Sequence, residues 1–136
     1  MINGTYTKNN FGGTVSFRSI YNMDFLSERD GEFASIAPVN YIPALTKQHD
    51  YLTSNIYVYA AQVKGESGFQ TDLFYHLKPG TKIGGKYGTK IAFNASMYQS
   101  VGDSLNLLKM GDTKYFSDVN LEIKKKWNKK LETTLG

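Results

Sequence analysis

The chain has 136 residues, 16 Lys and Arg against 12 Asp and Glu, a formal net charge of +4, and no cysteine. That length allows one domain at most, and the absence of cysteine excludes disulfides, thiolate metal sites and a cysteine nucleophile. No segment approaches the ~20 consecutive apolar residues of a transmembrane helix, whereas ten Tyr and eight Phe favour strands.

Two strands are predicted before the first long connection. Residues 2–8 alternate weakly, and the Asn- and Gly-rich residues 9–13 predict a turn, because both residue types tolerate a positive φ. Residues 14–25 alternate more clearly, which indicates a strand, since successive side chains of a strand point to opposite faces. The apolar face of this strand carries Val15, Phe17, Tyr21, Met23 and Phe25.

A long connection is predicted from residue 26 to about residue 55. It contains charged and turn-forming residues and two prolines, Pro38 and Pro43. Connections of that length in a compact domain are usually functional or disordered. Residues 56–63 could form a further strand, but apolar and polar side chains do not separate cleanly between its two faces. We therefore assign them to the same long connection.

A hairpin follows and shows the unit on which the chain is built. Residues 67–77 and residues 86–98 each alternate between an apolar and a polar face. Between them residues 78–81, Lys-Pro-Gly-Thr, predict a tight turn. Residues 99–114 then lack a pattern, and residues 115–127 alternate again before a second tight turn.

The predicted connections therefore run short, long, short, long, short along the chain. Outer-membrane barrels have short turns at one end and longer loops at the other, joined by alternating strands of ~10 residues. We predict an all-β fold, an antiparallel up-and-down meander that is part of a transmembrane β-barrel. Residues 1–136 are expected to form one barrel segment, an interior fragment truncated at both ends.

The two strand faces predict two environments. A polar face inside a barrel needs water, so we expect these residues to line the lumen: Arg18, Asp24, Gln70, Asp72, Lys90, Asn94, Asn120, Glu122 and Lys124. Aromatic rings near strand ends favour the membrane interface because they are amphipathic, and the candidates are Tyr21, Phe25, Tyr75, Tyr115 and Trp127. A soluble β-domain gives the same alternation, so alternation alone does not distinguish it from a barrel. The loop asymmetry and the aromatic residues at the strand ends favour the barrel.

Three stretches carry a family resemblance: residues 40–49 (NYIPALTKQH), residues 68–75 (GFQTDLFY) and residues 84–90 (GGKYGTK). Together they resemble an uncharacterised porin-like family of outer-membrane β-barrels common in Bacteroidota. The resemblance covers most of the chain. It implies a bacterial outer membrane and a barrel with further strands, and it supplies no catalytic or ligand residues.

No motif predicts catalysis, a metal or a cofactor. His76 shares a polar face with Asp72, but a metal site needs further ligands. We therefore expect the His76 side chain to be hydrated and to face the lumen. Residues 84–90 lack the order of a phosphate-binding loop, and their glycines are expected to ease the start of a bent strand. The basic residues 124–130 resemble a nucleic-acid site, but they split between two faces, so anchoring at the membrane interface explains them better.

We therefore expect an outer-membrane β-barrel protein, not an enzyme, that acts as a porin-like channel or uptake pore for small solutes. The expected partners are outer-membrane lipid, small solutes, and the remaining strands of the same barrel or another subunit, with no nucleic acid. Two alternatives stay open. One is a soluble lipocalin-like barrel that binds an apolar ligand, and the other is a closed outer-membrane barrel with a structural or surface-interaction role.

Overall fold

The computed structural model describes residues 1–23, 42–47, 59–102 and 109–136. These residues form six strands, and each strand pairs in antiparallel fashion with the next along the chain. The strands are β1 (Ile2–Lys8), β2 (Phe11–Tyr21), β3 (Gly65–Leu77), β4 (Thr89–Val101), β5 (Met110–Lys126) and β6 (Glu132–Leu135). The predicted all-β antiparallel meander is confirmed. Within the described ranges, no helix is long and apolar enough to cross a membrane.

The register keeps both faces of the sheet continuous from β1 to β5. One row of directly opposed residues consists of Gly4, Val15, Thr71, Ala95 and Val119. The next row, on the opposite face, consists of Thr5, Thr14, Asp72, Asn94 and Asn120. We call the face of the first row the apolar face and the face of the second row the polar face.

The first turn is shorter than predicted, because it consists of Asn9 and Asn10 alone. β2 therefore begins before Gly12 and Gly13, which the prediction placed in the turn. A Cβ atom at Gly12 would lie 2.2 Å from the ring of Phe74 on β3. Here glycine allows a close approach between neighbouring strands.

The connection between β3 and β4 is longer than the predicted turn at residues 78–81. It spans residues 78–88, so β4 begins at Thr89 and not at residue 86. The chain keeps turning because three glycines in it adopt a positive φ, which other residues rarely do: Gly80, Gly85 and Gly88. The glycines that were expected to ease the start of a strand thus belong to the turn.

The connection between β4 and β5 is shorter than predicted and spans residues 102–109. Register shifts flank Gln99 where β4 pairs with β5. Such an irregularity interrupts the period-two pattern, which explains why residues 99–114 showed no alternation. Because this connection is shorter than residues 78–88, the predicted order of short and long connections is wrong.

The connection between β2 and β3 runs from residue 22 to residue 64. Asp24, Phe25 and most of the loop predicted at residues 26–55 lie outside the described residues. Of the further strand considered at residues 56–63, the described part, residues 59–63, is not a strand.

The connections divide between the two ends of the sheet. Those after β1, β3 and β5 lie at one end, which we call the hairpin end. Those after β2 and β4 lie at the other, which we call the loop end.

Candidate functional site

Burial is concentrated on the polar face of the sheet. Arg18 is 6% exposed, Glu66 0% and Asn94 2%, whereas Val15 and Val119 on the apolar face are 51% and 67% exposed. Among the described residues, the buried hydrophobic side chains are Ile20, Ala61 and Tyr98. None of these lies on the apolar face, because Ile20 and Tyr98 belong to polar-face rows and Ala61 precedes β3.

The predicted lumen-lining residues that the structure describes all lie on this polar face. They come from β2, β3, β4 and β5 and are Arg18, Gln70, Asp72, Lys90, Asn94, Asn120, Glu122 and Lys124. Asp24 lies outside the described residues. A solute path along this surface stays a prediction.

Side-chain hydrogen bonds cross the middle of the polar face. The carboxylate of Asp72 accepts from the amide of Asn94 at 2.5 Å and from the amide of Gln70 at 3.0 Å. Asn94 Oδ1 and Ser96 Oγ are buried and have no hydrogen-bond partner among the residues that the structure describes. Since buried polar atoms normally bond to protein or to ordered water, these two atoms indicate a face suited to water.

A buried ion pair joins β2 to β3 on the same face. Arg18 Nη2 lies 2.6 Å from Glu66 Oε1, with side chains 7% and 0% exposed. The pair is diagonal, because the register sets Gly68 opposite Arg18. Breaking such a pair leaves an uncompensated buried charge, so both partners are needed for a stable arrangement.

Glu66 also binds the residues that lead into β3. Its Oε2 accepts from the hydroxyl of Tyr59 at 2.5 Å and from the backbone N–H of Gln62 at 2.7 Å. Burial, and then the hydrogen bond to Glu66, raises the pKa of the Tyr59 phenol above its ordinary value. Tyr59 therefore stays a neutral donor, and the carboxylate receives three donors in all when Arg18 is included.

Residues 42–47 lie over the polar face. Arg18 on β2 donates to the backbone carbonyl of Pro43, and the hydroxyl of Tyr98 on β4 donates to the carbonyl of Leu45. The segment therefore reaches from above β2 to above β4. We call the four side chains that hold this connection on the sheet the clasp: Arg18, Tyr59, Glu66 and Tyr98.

Aromatic packing supports the clasp. The ring of Tyr59 stacks on that of Tyr98, with centroids 5.2 Å apart, and on that of Phe116 on β5, with centroids 4.8 Å apart. The guanidinium carbon of Arg18 lies 5.7 Å from the centroid of the Tyr98 ring. Together with the hydrogen bonds to Arg18, Glu66 and Tyr98, this packing attaches the connection to four strands, β2, β3, β4 and β5.

The predicted lumen-lining set includes Arg18, and Glu66, one residue before the predicted strand 67–77, has the same phase as Gln70 and Asp72. Neither Tyr59 nor Tyr98 was singled out. The clasp joins positions far apart in the chain, up to 53 residues for Tyr98 and Leu45. No local period reports such a contact. The available signal was two opposite charges, Arg18 and Glu66, on the polar faces of two long strands.

The predicted interface aromatics lie towards the two ends of the apolar face. Tyr75 and Trp127 are at the hairpin end, and Tyr21 and Tyr115 are at the loop end. All four are between 41% and 54% exposed. Phe25 lies outside the described residues, and a membrane role for the other four stays a prediction.

The described residues include no group of three His, Cys, Asp or Glu side chains placed to hold a metal ion. His76 is exposed on the polar face, opposite Lys90. We propose no metal, cofactor or reaction.

The profile of a family of unknown function (DUF6029) matches residues 1–136, the full length of the chain. No curated protein matches the chain, and no solved structure matches it.

Proposed function

Because the chain belongs to DUF6029, a family of unknown function, we propose its function from the physical chemistry of the sheet: it is part of the wall of a bacterial outer-membrane β-barrel, a porin-like channel or uptake pore for small solutes. In this proposal the apolar face contacts lipid and the polar face lines the lumen. The porin-like identity and the origin in Bacteroidota, which the resemblance implied, belong to the proposal.

The observation that carries the proposal is the exposure of the apolar face. Val15 on β2 and Val119 and Leu121 on β5 are 51%, 67% and 52% exposed on a face that continues across five strands. Soluble monomers rarely expose an apolar patch of more than a few hundred Å². A transmembrane barrel, in contrast, needs an outward apolar band flanked by aromatic residues.

The strand lengths support the same proposal. β2, β3, β4 and β5 have 11, 13, 13 and 17 residues. A tilted transmembrane strand needs ~9–11 residues. Each of the four is therefore long enough to cross the hydrocarbon core.

The polar face has the chemistry of a hydrated lumen. It carries charges of both signs, Asp72 and Glu122 against Lys90 and Lys124, and a hydrocarbon environment would not tolerate them. The buried Asn94 Oδ1 and Ser96 Oγ, which have no partner among the described residues, fit water better than they fit a dry protein core. Lipid on one face and water on the other explain both sets of observations.

Residues 42–47 would narrow this lumen. Their backbone is held above the polar face by Arg18 and Tyr98, and in a closed barrel that space is the interior. Solutes would pass beside the segment, along the polar side chains. The strands that close the barrel would pair with β1 and β6, whose outer edges have no neighbouring strand in the described part of the chain.

The lipid-facing wall is tested by placing one lysine on the apolar face and another on the polar face, in two neighbouring rows. Val119→Lys should lower the unfolding free energy in phospholipid vesicles by about 2–4 kcal/mol, because it puts a charge near the bilayer midplane. Thr5→Lys, which is exposed on the polar face one row away, should change it by only about 0.5 kcal/mol. Urea titration followed by Trp127 fluorescence measures both values.

The control is Thr5, because Asn94, 2% exposed, has no room for a lysine. In a soluble protein Val119→Lys would cost almost nothing, since that side chain is already exposed. Equal effects of the two substitutions would contradict the wall. So would a soluble, cooperatively folding monomer in plain buffer, which would favour the lipocalin-like alternative with Phe17, Phe93 and Ile123 inside.

A further inference from the structure

Lysines are concentrated at the hairpin end of the sheet. Ten of the fourteen lysines lie there, and the acidic residues that the structure describes at that end are Glu122 and Glu132. We call these ten the lysine end: Lys8, Lys78, Lys82, Lys86, Lys90, Lys124, Lys125, Lys126, Lys129 and Lys130. The rest of the chain has four Lys and two Arg against ten acidic residues, so the net charge of +4 comes entirely from the hairpin end.

Ordered turns hold several of these lysines at the tip of the sheet. In the turn after β5, Asn128 Oδ1 accepts from the backbone N–H groups of Lys130 and Leu131, both at 2.8 Å. In the connection after β3, the hydroxyl of Thr81 donates to the carbonyl of Lys78 at 2.9 Å. These bonds fix the backbone of the turns, so the lysine side chains project from the end of the sheet on flexible stems.

Acidic side chains offset little of this charge. Lys124 Nζ lies 3.1 Å from Glu122 Oε1, and Glu132 opposes Lys126 across the β5–β6 pair. Lys90 directly opposes Lys124, an arrangement that is unfavourable for like charges. A concentration of positive charge repels itself, and contact with an anionic surface would relieve that repulsion.

The lysine end lies beside the aromatic residues of the apolar face. Lys125 Nζ is 4.3 Å from the centroid of the Trp127 ring, whose N–H donates to Thr133 Oγ1 at 2.8 Å. Tyr6 and Tyr75 are exposed on the apolar face at the same end. Since Tyr and Trp settle at the level of lipid headgroups, lysines just beyond them reach the depth of the phosphates.

We propose that the lysine end binds the headgroups of anionic phospholipids and so fixes which leaflet the hairpin end faces. The inference rests on the proposed function, because the lipid-facing wall brings this end to the membrane surface. Each lysine near an anionic surface contributes roughly a fivefold factor in partitioning. Binding is also sensitive to salt, because the Debye length falls to about 3 Å at 1 M.

Two lysine-to-glutamine variants of the full chain test the proposal. The first changes four exposed turn residues of the lysine end, Lys78, Lys82, Lys129 and Lys130. The matched control changes the four lysines elsewhere, Lys47, Lys64, Lys109 and Lys114. Each protein is diluted from urea onto vesicles of phosphatidylcholine, with or without phosphatidylglycerol, and the bound fraction is measured by flotation at low and high salt.

The expected result is that phosphatidylglycerol increases binding of the native chain and of the control. The lysine-end variant should lose about tenfold or more of that increase, and high salt should abolish it in every protein. Binding that ignores phosphatidylglycerol, or an equal loss in both variants, would overturn the proposal. Protease protection of the vesicle-bound chain reports separately on the wall: binding that depends on phosphatidylglycerol without protection would support the lysine end and contradict the barrel.

Discussion

Glu66 shows how this sheet tolerates a charge with no exposure to solvent. Its two carboxylate oxygens receive the guanidinium of Arg18, the hydroxyl of Tyr59 and the backbone N–H of Gln62. A charge removed from water is stabilised when an opposite charge and further hydrogen bonds replace the lost hydration. Two of these bonds, from Tyr59 and Gln62, attach the connection to β3, and the third joins β2 to β3, so this one side chain serves both electrostatics and architecture.

The substitution Glu66→Gln tests that role. It keeps the shape of the side chain but leaves the charge of Arg18 buried and uncompensated, so we expect a loss of about 3–5 kcal/mol in unfolding free energy. Glu132→Gln, an exposed carboxylate at the hairpin end, is the control and should change stability by only about 0.5 kcal/mol. Urea titration measures both, and a loss for Glu66→Gln no larger than that of the control would show that the ion pair adds nothing.

At the scale of the strands, the sequence was sufficient to predict that β2, β3, β4 and β5 exist and which side chains share a face. It was not sufficient to predict where each strand begins and ends. Alternation is local, so the apolar and polar faces of β2, β3, β4 and β5 were predictable from side-chain type. The ends of the strands were not predictable, because a glycine occurs both in turns and at close contacts between strands, and the sequence does not distinguish the two. Gly12 serves the second purpose and Gly85 the first.

The predicted functional residues divide in the same way. Membership of the polar face follows from local period, and the described residues Gln70, Asp72 and Asn94 lie there as predicted. The clasp depends on contacts between β2, β3, β4 and the connection after β2, and such contacts require knowledge of the fold. The extent of β4 and β5 was not predictable either, because the register shifts beside Gln99 interrupt the alternation of side chains.

Gly68→Ala tests the close contact between β3 and β4. A Cβ atom there would lie 2.3 Å from the backbone oxygen of Met97 and 2.4 Å from the ring of Tyr98. Because a backbone atom cannot move aside easily, we expect a loss of about 1–3 kcal/mol. Gly4→Ala on β1 meets nothing within 4 Å and should be neutral or stabilising by about 0.5–1 kcal/mol. Equal stabilities of the two variants, measured by urea titration, would contradict this packing.

The whole molecule has two independent asymmetries. Across the thickness of the sheet, polar side chains are buried on one face and apolar side chains are exposed on the other. Along the strands, positive charge collects at the hairpin end and acidic residues predominate elsewhere. The first asymmetry favours a wall between lipid and water, and the second favours one orientation of that wall. In the proposed barrel the two asymmetries together would define a direction in the membrane, which a soluble β-domain would not need.

The clasp also allows a prediction about conductance through the proposed lumen. If residues 42–47 narrow a lumen, then Tyr98→Phe should enlarge it, because the variant lacks the hydroxyl that holds the carbonyl of Leu45. We expect a higher and noisier single-channel conductance when the variant is made in the complete barrel, with the strands that close it, and reconstituted into planar bilayers. Tyr75→Phe, which removes an exposed hydroxyl on the apolar face, should leave the conductance unchanged. Identical currents in the two variants would show that the segment does not restrict the path, and no current in the native protein would favour the closed barrel.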